Sequence, residues 1–69
     1  MSRILTNEQF KEKYEPIFKE LKLEGYTDRD ADIIAEKLIF SNQTGHVMAE
    51  KHGMTIKEVE NVYESYFSS

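Results

Sequence analysis

Cysteine is absent from the chain and proline occurs once, at Pro16. Without cysteine there is no disulfide, no thiolate metal site and no thiol nucleophile. No apolar run approaches the ~18 residues of a membrane-spanning helix. The opening stretch MSRILTNEQF also lacks an apolar signal segment, so the expectation is a soluble, cytoplasmic protein with no membrane partner. Cations are scarce: 9 Lys and Arg stand against 13 Asp and Glu, a formal net charge of −4. That balance argues against non-specific nucleic-acid binding, because neutralisation of phosphates by Lys and Arg supplies most of that affinity. A dimer can nevertheless gather its few cations on one face.

Catalytic signals are missing too. No glycine-rich phosphate loop occurs, and the serines of the tail SYFSS have no base or oxyanion loop near them in sequence. His46 and His52 lie too far apart in the helical repeat to share a face as a metal pair. His46 could instead meet Glu50 one turn on, and His52 suits a helix C-terminus when charged. Neither an enzyme nor a metal or cofactor site is expected. The carboxylates of the first helix and of TDRDAD read as solvated or dipole-complementing groups.

What is present is helix. The 69 residues allow one small domain, whose stability depends on packing its aromatics or on pairing with a second copy. Helix start signals recur four times. In LTNEQF, Thr6 caps and Gln9 completes a capping box, with Leu5 and Phe10 as the hydrophobic staple. Phe10, Tyr14, Ile17 and Leu21 then share a face. Pro16 predicts a kink or a division of this helix, which Gly25 stops. In YTDRDA, Thr27 or Asp28 caps, and Asp28, Asp30 and Asp32 crowd the positive end of the helix dipole. Ala31, Ile34, Ala35 and Leu38 form its apolar stripe, extended by Ile39 and Phe40. After the loop SNQTG, Thr44 caps a short helix that Gly53 ends. In MTIKEV, Thr55 caps, Glu58 closes the box, and Met54 and Val59 form the staple. Every long segment reads as helix and no strand pattern competes. The predicted fold is one all-α domain over residues 1–69 with four or five short helices.

The last two helices satisfy the spacing of a helix-turn-helix over about residues 44–67. Steep crossing over a short turn needs a small residue in the first helix, met by Ala49. It needs positive φ four residues on, met by Gly53, and branched apolar residues that pack back on the first helix, met by Val59 and Val62. In the usual docking, the start of the last helix faces base edges. The candidates are Thr55, Ile56, Lys57, Glu60 and Asn61. Asn61 can pair with adenine, Lys57 can meet guanine or a phosphate, Glu60 can accept from cytosine, and Ile56 can touch a thymine methyl. Thr44 and His46 open the preceding helix, where main-chain N–H groups hold phosphate. Glu58 belongs to the cap, which leaves Glu60 as the awkward carboxylate on this surface.

These features resemble the TrfB/KorA-type plasmid transcriptional repressors. The likeness rests on LTNEQF, on DADIIAEKLIFSNQT and on HVMAEKHGMTIKEVENVYESYF, and covers nearly the whole chain. A looser likeness exists to PapB-type fimbrial regulators. The resemblance implies an all-helical operator-binding domain acting as a dimer on double-stranded DNA. Thr55, Lys57, Glu60 and Asn61 would then lie on the recognition helix and residues 43–46 on its supporting helix. The chain is more acidic than a typical member, and the C-terminal dimerisation region of full-length members has no counterpart before Ser69.

Eight aromatics are many for so small a body. Phe18 and Phe40 fall off the main stripes, and Tyr63, Tyr66 and Phe67 cluster near the end. Together with the first helix these three are the expected homodimer surface, because aromatics are enriched at interfaces. The alternative to a DNA-binding regulator is an acidic interaction module, an inhibitor, anti-repressor or nucleic-acid mimic from a mobile element, that meets a basic protein partner and binds no DNA.

Overall fold

The computed structural model describes residues 6–40 and 45–68. They form four helices: α1 (Asn7–Leu23), α2 (Asp28–Ile39), α3 (Gly45–His52) and α4 (Ile56–Phe67). No strand occurs among the described residues, so the domain is all-α as the periodicity predicts.

The caps lie where the sequence places them. Thr6 accepts from the Gln9 N–H at 3.1 Å while Gln9 accepts from the Thr6 N–H at 3.1 Å. Thr27 accepts from the Asp30 N–H at 3.1 Å, with Asp28 and Asp30 in the first turn of α2. Thr55 and Glu58 form the second full box. The stops are equally local. Gly25 at φ 105° and Gly53 at φ 64° turn the chain left-handed. The next residue then closes a bond back into each helix, Tyr26 N–H to Leu21 C=O at 3.2 Å and Met54 N–H to Ala49 C=O at 2.9 Å. This is the Schellman pattern, which satisfies a carbonyl that the helix end would leave free.

Of the two outcomes expected at Pro16, division is excluded, because α1 runs through it as a single helix. The carbonyl that loses its helical donor belongs to Glu12, and both residues are exposed. Water can therefore supply the missing bond.

α2 lies at the centre. Ala31 through Ala35 are buried without a break, because α1 packs on one side and α4 on another, and α3 packs on α4. The core gathers Leu21, Ala31, Ile33, Ile34, Ala35, Met48, Ala49, Val59 and Val62. Ile33, Ile34, Met48 and Val59 are its largest fully buried side chains, each stabilising by about 1.5–3 kcal/mol. The apolar stripe expected for α2 is thus corrected at two positions. Ile33 is wholly buried, whereas Leu38 is 41% exposed. A helix covered by neighbours on several sides buries more than one stripe. The aromatics off the main stripes also find partners: Phe18 stacks on Tyr14 and Phe40 on Phe10.

Gly45 and Gly53 make opposite demands. A Cβ on Gly45 would sit 3.6 Å from Ile56 and Val59, an ordinary contact, whereas Gly53 has open space but a left-handed backbone. Gly53→Ala should cost about 1 kcal/mol and lower Tm by roughly 4–8 °C in a domain of this size. Gly45→Ala should leave Tm unchanged or raise it. Thermal melts followed by circular dichroism compare the two, and an unchanged Tm for Gly53→Ala would contradict the turn geometry.

Candidate nucleic-acid interface

The Thr55–Glu58 box defines how α4 begins. Thr55 Oγ1 accepts from the Glu58 N–H at 3.1 Å, and Glu58 Oε1 accepts from the Thr55 N–H at 2.9 Å. These bonds, with Arg29 nearby, hold the Glu58 carboxyl below the usual range although it is exposed. Glu58 therefore serves the helix end, as expected, and the Thr55 hydroxyl is committed to the cap.

Val59 and Val62 occupy the core side of α4. Lys57, Glu60, Asn61 and Glu64 are exposed, one cation with two carboxylates and an amide. Ile56 is 38% exposed and flanks Gly45, so the starts of α3 and α4 approach each other here. His46 is exposed on α3, beside Val47, which is 51% exposed. The candidates His46, Ile56 and Lys57 thus lie at one end of the α3–α4 pair. Asn61 lies further along, lining a shallow depression with Arg29, Asp30, Glu58 and Ser65. Thr44 lies outside the described residues.

Neighbouring cations are committed elsewhere. Arg29 Nε lies 3.1 Å from Asp30 Oδ1. Lys51 Nζ lies 2.6 Å from Glu36 Oε2 and 2.9 Å from Asp32 Oδ2. Burial alone would lower the pKa of the Lys51 ammonium, but the two carboxylates raise it overall. Lys57 makes no ion pair among the described residues.

A polar cluster with no signal in the helix-turn-helix spacing joins α1, α2 and the end of α3. Asp32 is only 7% exposed, which corrects the reading of this one TDRDAD acid as a solvated or dipole-complementing group, whereas Asp28 and Asp30 lie in the first turn of α2 as expected. Tyr14 on α1 donates its hydroxyl to Asp32 Oδ1 at 2.5 Å. His52 Nε2, at the end of α3, lies 2.8 Å from Oδ2, beside Lys51. Burial by itself would raise the pKa of the Asp32 carboxyl. The bonds from Tyr14, Lys51 and His52 outweigh burial and hold it below the usual value. Burial and this same bond push the Tyr14 hydroxyl well above its ordinary range. One signal was present in the sequence: Asp32 interrupts the apolar run from Ala31 to Ala35, and a carboxylate so placed is buried only if paired.

The three residues expected at a dimer surface differ in placement. Tyr63 and Tyr66 are partly buried against the core, and only Phe67 is exposed, at 49%. Tyr66 meets Tyr26 edge-on at 6.1 Å between ring centroids. Lys37 Nζ lies 5.3 Å from the Tyr63 ring centroid. The Tyr63 hydroxyl is buried with no hydrogen-bond partner among the described residues.

No protein-family model, curated protein or solved structure matches the chain.

Two outcomes follow from these buried polar groups. The folded-state pKa of Asp32 is depressed, so its contribution is complete above the unfolded value of about 4 and is lost as pH falls through the folded value. Asp32→Asn should lower Tm at neutral pH and flatten the loss of Tm on acidification. Melts across the acid range of wild type and variant test this, and parallel curves would contradict it. Tyr63→Phe removes an unpaired buried hydroxyl whose desolvation costs about 1–3 kcal/mol. It should raise Tm or leave it unchanged, and a clear fall in Tm would show that the hydroxyl has a partner.

Proposed function

We propose that this protein is a small regulator that binds operator DNA with α4, the α3–α4 pair serving as a helix-turn-helix and two identical copies acting together. One observation carries this reading. The four positions that such a unit constrains behave as the motif needs: Ala49, Val59 and Val62 are buried and Gly53 has positive φ. The side of α4 away from the core is left to Lys57, Glu60, Asn61 and Glu64, which serve no packing role. The resemblance to TrfB/KorA-type repressors points the same way.

The charge on that side favours a second reading, an interaction module for a basic protein. Two carboxylates face one cation there, and Lys51 is bound to Asp32 and Glu36. DNA binding is preferred because Asn61 and Lys57 are the residue types that read base edges and phosphates. A scarcity of cations lowers affinity for every sequence without removing discrimination between sequences.

The test is a mobility shift at low salt, using duplexes selected from a random pool and DNA flanking the protein's own gene. Asn61→Ala should lose about 1–3 kcal/mol of discrimination at one base pair. Lys57→Ala should weaken all sequences alike and reduce the salt slope by about one. If no duplex is shifted, DNA binding is rejected. A captured basic partner released by reversing Glu60 and Glu64 would then establish the second reading.

A further inference from the structure

α1 carries residue choices near its end that its own stability does not explain. Glu20 lies in its last turn and Glu24 is its C-cap. Carboxylates there oppose the negative end of the helix dipole, and two of them one turn apart repel each other. Neither makes an ion pair among the described residues, and nor does Lys19. Leu23 on the same stretch is 83% exposed. Violations of local preference that cluster on one surface mark a site with another purpose.

That surface includes a groove between three helices. Ile17 and Leu21 of α1, Leu38 of α2 and Tyr66 of α4 line it, with Glu20 and Glu24 at its edge. Helical periodicity sets Leu23 beside Glu20 and Lys19. An apolar knob with a cation at its base therefore adjoins an apolar hole with carboxylates on its rim.

We infer that a second copy of this chain covers this surface, α1 against α1 in antiparallel array, with Leu23 of each copy seated in the groove of the other. The arrangement is self-complementary, as a two-fold interface must be. The offset that sets Leu23 level with Glu20 of the partner also sets Lys19 against its Glu24. The exposed carboxylate and the exposed lysine then neutralise each other twice across one axis. Exposed Leu38 and half-buried Tyr66 become part of the interface, while Tyr63 stays inside its own domain. This inference rests on the two-copy part of the proposed function and not on DNA binding.

The test is the molar mass of the purified full chain in solution, measured by sedimentation or light scattering from micromolar to near-millimolar concentration. The wild type should reach twice the chain mass. Leu23→Glu, at a side chain that contributes little to the fold, should raise the dimer dissociation constant at least tenfold while circular dichroism stays native. Lys19→Glu should weaken the dimer, and the exchange pair Lys19→Glu with Glu24→Lys should restore it. A monomeric wild type at every concentration, a dimer indifferent to Leu23→Glu, or an exchange pair no better than Lys19→Glu alone overturns the inference. A dimer that passes these tests but shifts no DNA upholds it and sinks the regulator reading. A monomer that shifts DNA overturns it and upholds only the α4 part of the regulator reading.

Discussion

Asp32 brings a carboxylate into the most buried stretch of the molecule, and α1 and α3 close around it. Desolvating a carboxylate costs several kcal/mol, so the fold has to present donors from every side. Tyr14 does so from α1, and Lys51 and His52 do so from the last turn of α3. The apolar contacts alone fix α3 less firmly. Its interior side chains are Met48 and Ala49, and the latter offers one methyl. A directional set of bonds at the end of α3 chooses one orientation where the small apolar surface would allow several. A buried pair of this kind adds little net stability over an apolar replacement, but it can select one arrangement.

That selection bears on the surface above. α4 is held by Val59 and Val62 on one side and by the box at Thr55 on its end, whereas its relation to α3 is set at Gly53. The start of α3 meets Ile56 and Val59 across Gly45. Any rotation of α3 at its His52 end would therefore move His46 and Val47 relative to Lys57. The polar cluster bonds to none of the proposed reading residues, yet it fixes the platform from which they project.

The local part of this fold was legible in the sequence. Thr6, Thr27 and Thr55 signal three helix starts through their neighbours three residues on, and Gly25 and Gly53 signal two stops. These bonds lie within a few residues and need no knowledge of packing. The spacing Ala49, Gly53, Val59 and Val62 was legible for the same reason, since the steric rule acts along the chain. What the sequence did not disclose depends on contacts between distant residues. Asp32 looks like another first-turn acid until α1 and α3 close over it. Ile33 falls off a single stripe and is buried only because α2 has neighbours on several sides. Tyr63 packs beside Lys37 and Tyr66 beside Tyr26, contacts that no spacing along the chain announces. Pro16 looks like a break, but on the solvent side of a helix it deprives only an exposed carbonyl.

The excess of acid over base bears on mechanism as well as class. In most DNA-binding domains the phosphates contribute a large, sequence-independent attraction, and base contacts add discrimination to it. Here few cations are available for that first contribution, because Arg29 and Lys51 are bound to carboxylates of the same chain. Binding by such a surface would be weak on arbitrary DNA and would depend on base contacts at the right site. The useful quantity is the ratio between the two, not the absolute affinity. Two copies held together would multiply that ratio, since each half-site adds its own discrimination while the cost of bringing the second copy is already met in the dimer. Under the proposed function, a scarcity of positive charge and a self-complementary α1 would be parts of one physical solution.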